Sequence, residues 1–334
     1  MIFELFAKRL FPQAFNNDLS ELEPKHIFLR KSVNHLGFKF GLTMLLIIIF
    51  LGIFGPHIIG ISPYEQDLTK RLLPPIWVEG GNWEHIFGTD GNGRDYLARI
   101  LYGTRISLTI GFGAAVVGMI IGISLGILAG YFGGWVDQLV NYLLTCQLAL
   151  PGLLLAMTVV FLIGPSITVV ILVIGVLHWT LFLVVSRSAT QRIRNLDYVL
   201  AANAIGASKY QIIFSDIIPN ILNQIIVIFT LEVGIAILSE ASLSFLGVGI
   251  QPPTPSWGLL IAEGREALFF QPWLIILPGI ALFLLVVSIN MLGDGLRDIT
   301  DPNSKIEIKS KVEVPISNLK QNICLLYTSD AADE

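Results

Sequence analysis

Charged side chains avoid five long stretches of this chain, and that avoidance constrains its fold more than any other property. The stretches are 40–64, 106–136, 138–186, 217–231 with its continuation, and 267–293. A helix needs about 20 apolar residues to cross a hydrocarbon core of roughly 30 Å. The third stretch is long enough for two crossings, with Gly164-Pro165-Ser166 as the turn between them. Six membrane-spanning helices are therefore predicted, near 40–60, 106–130, 139–163, 167–187, 217–246 and 273–293. The apolar runs do not alternate, which argues against a transmembrane barrel. Hydrophobic residues make up 54% of the chain and charged residues 14%, well under the charged quarter of a soluble domain.

The first span begins too far along the chain for a cleavable signal peptide, and no small-residue cleavage pattern follows it, so it is expected to stay as a helix. With six spans both termini lie on one side. That side holds Lys8, Arg9, Lys25, Arg30, Lys31, Lys39, Arg187, Arg192, Arg194, Lys209 and Arg297. The other holds Lys70, Arg71, Arg94, Arg99, Arg105 and Arg265. The bias of basic residues puts both termini and the 187–216 loop in the cytoplasm. The resulting division is a cytoplasmic segment 1–39, a first span 40–60, an external loop 61–105, a five-helix transmembrane domain 106–293 and a cytoplasmic tail 294–334.

No enzymatic centre can be assembled from the residues. The chain contains no G-x-x-x-x-G-K-S/T phosphate loop, and Gly206-Ala207-Ser208-Lys209 lacks the second glycine and a preceding strand. The segment Gly88 to Asp95 lacks the acidic ladder of a calcium loop and reads as a structured external turn. Gly293-Asp294-Gly295 has no second intramembrane aspartate to make a protease pair. His178 is the only histidine deep in a span, so neither a zinc pair nor a Ser–His dyad is expected there, and it reads as a packed polar residue. Cys146 and Cys324 offer no disulfide or metal-ligand spacing.

Two features remain to carry function. Glu232 and Glu240 are carboxylates inside a span, where a charge costs at least ~2.5 kcal/mol and usually faces a bundle interior or a wet cavity. They differ by about 80° around the helix and ~12 Å along it, so both can face one pathway, or each can be satisfied between helices. The second feature is the polar interruption RSATQRIRNLDYVLAANAIGASKYQIIFSD at 187–216. Leu200-Ala201-Ala202-Asn203-Ala204-Ile205 combines strong helix formers with minimal side chains, which lets a partner surface approach the backbone. Gly206 permits a left-handed turn, Ser208 can cap a second short helix running from Lys209 to Ser215, and Pro219 marks a break into the next span. A short helix held across the cytoplasmic face is suited to receive a push from a soluble partner; an ordinary helical loop is the plainer alternative.

The same stretch resembles the coupling motif of ABC-importer permeases, E-A-A, three residues, Gly, nine residues, I-x-L-P. Ala201, Ala202, Gly206 and Pro219 fall on it, while Leu200 stands at the glutamate position, Asp216 at the first isoleucine and Ile218 at the leucine. Further segments narrow the resemblance to the second (C-type) membrane subunit of the dipeptide/oligopeptide/nickel permease family. They are FGTDGNGRDYLARILYGTRISL at 87–108, GILAGYFGGWVD at 126–137, LALPGLLLA at 148–156, SEASLSFLGVGIQPPTPSWG at 239–258 and NMLGDGLRDITDP at 290–302. The resemblance implies an all-α membrane protein of the type I importer fold, in the inner membrane of a bacterium, that does no bond chemistry itself. It implies a second homologous permease, two P-loop ATPase subunits that bind ATP and Mg, and an external binding protein. Ala201, Ala202, Gly206, Ala207, Ser208 and Pro219 would couple to the ATPases, and Glu240 falls in a recurring segment that fits a structural or gating role. Di- and oligopeptides are the expected substrates, with nickel complexes or glutathione-like peptides as alternatives, and a self-contained channel or secondary carrier as a more distant one. Gln251 to Trp257 is stiff and aromatic, suited either to a lip over the pathway or, through Trp257 and Trp273, to anchoring at headgroup level. The final CLLYTSDAADE resembles translated sequencing-adapter sequence and is assigned no function.

Overall fold

A computed structural model describes residues 30–300. The tail after Thr300, including CLLYTSDAADE, lies outside the described residues, as does most of the N-terminal segment. The described chain is all-α: α1 (Leu36–Ile59), α2 (Tyr96–Phe132), α3 (Gly134–Ala149), α4 (Gly152–Ile163), α5 (Ile167–Leu177), α6 (Thr180–Arg194), α7 (Asp197–Ala204), α8 (Lys209–Phe245), α9 (Trp257–Gly264) and α10 (Trp273–Thr300). Among the described residues the one β-type pairing is an isolated bridge between Thr89 and Asp95. Four helices, α1, α2, α8 and α10, are long and apolar enough to cross a membrane, and the bent pairs α3–α4 and α5–α6 bring the total to as many as six.

The helices depart from the predicted spans at definite places. α2 begins at Tyr96 rather than at 106, capped by Asp95, whose Oδ1 accepts a 2.7 Å hydrogen bond from the Ala98 backbone N–H. Arg99 and Arg105 therefore lie inside the helix, and charge avoidance alone placed its start too late. The span expected at 139–163 is two helices bent by 85° at Leu150-Pro151, since proline removes a helical donor and disfavours helix in the residue before it. The span expected at 167–187 bends by 42° at His178-Trp179 and continues to Arg194.

α2 is the spine of the bundle, packing on α1, α5, α6 and α8. Gly118, Gly122, Gly126 and Gly130 recur every four residues, so they share one face, and α6 with its preceding break lies directly on that face. A Cβ placed on Gly118 would sit 2.9 Å from the His178 carbonyl oxygen, and one on Gly130 2.7 Å from that of Arg187. Close backbone approach of this kind is how helices gain dispersion energy where lipid removes any hydrophobic drive. At the α6 end of this contact Arg187 forms a two-pronged ion pair with Asp137 of α3, at 2.5 and 2.7 Å.

Candidate docking and transport site

The residues singled out at 197–219 come together as one continuous surface feature. α7 ends in a Schellman turn: the Gly206 N–H donates to Asn203 O at 3.1 Å and the Ala207 N–H to Ala202 O at 3.0 Å. Gly206 adopts φ +84°, the left-handed conformation expected of it. The Ser208 hydroxyl then accepts from the Gln211 N–H at 3.2 Å, as expected of a cap. The helix it starts does not stop at Ser215. This helix, α8, passes through a π-turn over Ile212–Ile217, in which the Ile218 N–H reaches back to Ile213 O, and runs on without a break at Pro219. Proline lacks a donor and its ring crowds the carbonyl four residues back, and the wider turn before it accommodates both.

One side of this segment is seated and the other is bare. Val199, Ile212 and Ile217 are fully buried against Ile127 and Tyr131 of α2, Ala189 and Ile193 of α6, and Ile221 and Ile225 of α8, with Ala202 and Ala207 packed at the margin. Arg194 donates to the Tyr131 carbonyl at 2.8 Å, and the Lys209 ammonium lies 5.4 Å from the Phe132 ring centre, closing the seat from both ends. Outward, Leu200, Ile205, Tyr210 and Phe214 are exposed, Ile205 by 86%. Ala201, Gly206, Ser208 and Pro219 are exposed as well. Exposed apolar residues on a rigidly seated helix pair form a surface suited to protein docking.

The two intramembrane carboxylates have different surroundings. Glu240 is fully buried in a collar of serines: Ser244 Oγ donates to its Oε1 at 2.7 Å and Ser107 Oγ lies 3.5 Å from its Oε2. Those serines in turn accept from Ile250 N at 2.9 Å and Trp257 N at 3.4 Å, so Glu240 ties α2 and α8 to the 246–256 segment and to α9. Trp257 is buried and donates its indole N–H to Ile100 O at 2.9 Å; it is a core residue and not a headgroup anchor. Glu232 instead meets His178, whose Nδ1 is 2.9 Å from Glu232 Oε2, and the imidazole Nε2 lies 3.2 Å from Ser239 Oγ. A Ser–His pair therefore does assemble inside the bundle, contrary to the expectation from a lone histidine. Its partners lie 54 and 61 positions away, and the local signal available was only the seven-residue spacing of Glu232 and Ser239, which puts them on one helix face.

A second charged cluster that sequence reasoning missed braces the other end of the bundle. Asp90 Oδ2 accepts from Arg94 Nε and from Arg99, each at 2.6 Å, and Arg99 also donates to Glu263 of α9 at 2.5 Å. Asp90 Oδ1 takes the backbone N–H groups of Asn92 at 2.8 Å and Arg94 at 3.0 Å. The Gly88–Asp95 turn is thereby a structured element, as expected. Beside it lies a cavity of about 290 Å³ lined by Arg71, Asp90, Arg94, Glu263 and Glu266 among others.

Helices this long and apolar mark a membrane protein, and comparison with known proteins places it among permeases. The chain is a member of the family described as binding-protein-dependent transport system inner membrane component, whose model matches residues 122–306. A model for the N-terminal transmembrane domain of oligopeptide transport permease C matches residues 26–75. The chain is 38% identical over 282 residues to the di/tripeptide transport system permease DppC of Pseudomonas aeruginosa, covering 84% of this chain and 93% of that one. It is 42% identical over 265 residues to the dipeptide transport system permease DppC of Escherichia coli K12, covering 79% and 88%. A solved structure titled as inward-facing conformations of the MetNI methionine ABC transporter shares the fold, with a TM-score of 0.50 at 16% identity over 61% of this chain and 97% of that one. The chain is thus a membrane subunit of an ABC importer, with the all-helical permease fold expected of it.

Proposed function

We propose that this chain forms half of the translocation pathway of an ATP-driven importer of di- and oligopeptides in a bacterial inner membrane, with both termini in the cytoplasm. A second homologous permease completes the pathway. Two P-loop ATPases, carrying ATP and Mg, dock on the 197–214 surface, and an external binding protein delivers the peptide. Ala201, Ala202, Gly206, Ala207, Ser208 and Pro219 shape the coupling segment. Glu232 faces the pathway, and Glu240 braces its external lip.

The observation that carries this reading is the two-faced segment itself: Val199, Ile212 and Ile217 buried beneath, Ile205, Tyr210 and Phe214 exposed above. Names of relatives, among them dipeptide permeases at 38–42% identity, support the peptide assignment. ATP binding in the partners then shifts a population between inward- and outward-open states, because each nucleotide state favours one arrangement of the docked surface.

Gly206→Arg tests it. The substitution forces a side chain into a left-handed turn and puts a bulky cation on the docking face. The tagged variant is expected to insert in the membrane and to recover its partner permease, but to lose the ATPases on co-purification and to lose peptide uptake in proteoliposomes. Normal uptake by the variant would defeat the coupling assignment. Absence of ATPases from the wild-type complex would defeat the importer reading.

A further inference from the structure

The Glu232–His178–Ser239 cluster is larger than a tie between two helices requires. His178 stands at the 42° break between α5 and α6, and Glu232 and Ser239 stand two turns apart on α8, so one imidazole spans both turns. Apolar side chains of similar volume often join helices as well as a buried polar pair does, so a joint between the α5–α6 break and α8 needs no carboxylate. The carboxylate, moreover, is only half used. Glu232 is 4% exposed, His178 engages its Oε2, and no described residue donates a hydrogen bond to its Oε1. An acceptor with one oxygen open, in the middle of a span, is a site for a donor that arrives from elsewhere.

The cluster opens at its serine end. Ser239 is half-buried, and Ile235, Leu238 and Ser242 beside it on α8 are exposed. The Ser239 hydroxyl donates to Ile235 O at 2.9 Å, a back-bond to a helical carbonyl that yields at little cost when another acceptor is offered. Ser239 Oγ also lies 3.2 Å from His178 Nε2, so its hydroxyl has a second partner within reach besides Ile235 O. The three side chains therefore offer a ligand one anionic acceptor and one rotatable donor.

We propose that Glu232, His178 and Ser239 form a ligand subsite on the transport path. Glu232 Oε1 receives the protonated amino end of a short peptide, and the Ser239 hydroxyl turns to donate to the adjacent peptide carbonyl. His178 is the positioning residue, holding the carboxylate through Nδ1 and the serine through Nε2. The ligand class is a small peptide with a free amino terminus, and this assignment rests on the peptide-importer reading above.

The test uses the assembled permease–ATPase complex in detergent without the binding protein, so that selection by that protein plays no part. In a Cys146→Ser, Cys324→Ser background, Ser239→Cys is expected to react with the cationic thiol reagent 2-aminoethyl methanethiosulfonate. Dialanine is expected to slow that reaction at least five-fold, and N-acetyl-dialanine at the same concentration to leave it unchanged. Adding Glu232→Gln is expected to abolish protection, the rates with and without dialanine being compared within that same variant. No labelling of Ser239→Cys in a complex that still hydrolyses ATP overturns the subsite, as does equal protection by the free and the acetylated peptide. Where Ser239→Cys prevents assembly, Ser242→Cys on the same exposed face carries the same measurement and is judged by the same outcomes. Wild-type proteoliposomes supplied with ATP and the external binding protein that take up no dialanine overturn the peptide reading and the subsite with it; uptake without labelling overturns the subsite alone.

Discussion

Replacing Asp90 by alanine strips two buried guanidinium groups of their shared carboxylate. Arg94 and Arg99 are 2% and 0% exposed, and each donates to Asp90 Oδ2 at 2.6 Å. Two Arg99 nitrogens, Nε and one of the Nη atoms, already have no hydrogen-bond partner, so this guanidinium has little compensation in reserve. Breaking a buried ion pair by removing one partner costs about 3–5 kcal/mol. The two backbone hydrogen bonds to Oδ1 add about 1 kcal/mol each. Glu263, whose side chain is 28% exposed, still holds Arg99 at 2.5 Å, and the adjoining 290 Å³ cavity gives water access, so part of that sum is recovered. A net loss of about 4 kcal/mol is expected; at 1.4 kcal/mol per factor of ten, that is roughly a thousand-fold rise in the open population of the 61–95 segment. Limited trypsinolysis at Lys70 and Arg71 reads this directly, because both sit in the strip held to the turn by Leu72 N–Asp90 O at 3.1 Å and Arg71 Nε–Gly91 O at 2.6 Å. Asp90→Asn, which keeps an acceptor for the backbone, is expected to fall between wild type and alanine. Adding Arg99→Met to Asp90→Ala is expected to restore much of the protection, since it removes the stranded charge. Cleavage of Asp90→Ala within two-fold of wild type would refute the view that the cluster holds this segment.

Other consequences follow from the packing and the loop. Gly122→Leu forces a side chain against Trp179 O and Phe182, at the upper end of overpacking costs of about 1–3 kcal/mol, whereas Gly279→Leu, whose Cβ meets open space, is expected to be near neutral; thermal unfolding in detergent compares them, and equal losses would discredit the glycine face. Glu240→Ala strands the Ser244 hydroxyl donor and is expected to cost ~2–3 kcal/mol, with Glu240→Gln costing under ~1, in the same assay. The Thr69 hydroxyl and then its backbone N–H hold the Asp67 carboxyl below its usual range, and the hydrogen bond from Lys70 does the same for Glu84. Because both are depressed in the folded protein, their contribution is present above the ordinary carboxylate range and lost as pH falls through the lower folded values. Exchange of the 61–95 amides, corrected for intrinsic rate, is therefore expected to rise on acidification below the ordinary range and to stay flat above it.

The residues alone dictate whatever is fixed locally. Gly206 needs only its own backbone freedom to turn left-handed, and Ser208 needs only a donor three residues on, so both are legible in the sequence. The start of α2 is not, because Arg99 reads as a charge to be kept out of the membrane until Asp90 and Glu263, the latter 164 positions away, are seen to neutralise it. The span predicted at 139–163 runs straight over Pro151, and the 85° bend there depends on packing that no local signal reports. Pro219 announces a break that the π-turn ahead of it absorbs. His178 looks solitary because its partners belong to another helix.

The uninterrupted run of α8 from Lys209 to Phe245 makes the two ends of the molecule mechanically one. At 1.5 Å per residue it is a rod of ~55 Å, and Glu232 divides it into lengths of ~35 Å toward Lys209 and ~20 Å toward Phe245. Were such a rod to turn about Glu232, a 3 Å stroke at the docking end would move the Glu240–Ser244 end by less than ~2 Å in the opposite sense, the ratio being set by those lengths. Opening at one face and closing at the other would then be a single displacement, and its gear ratio is written in the position of one glutamate along the helix.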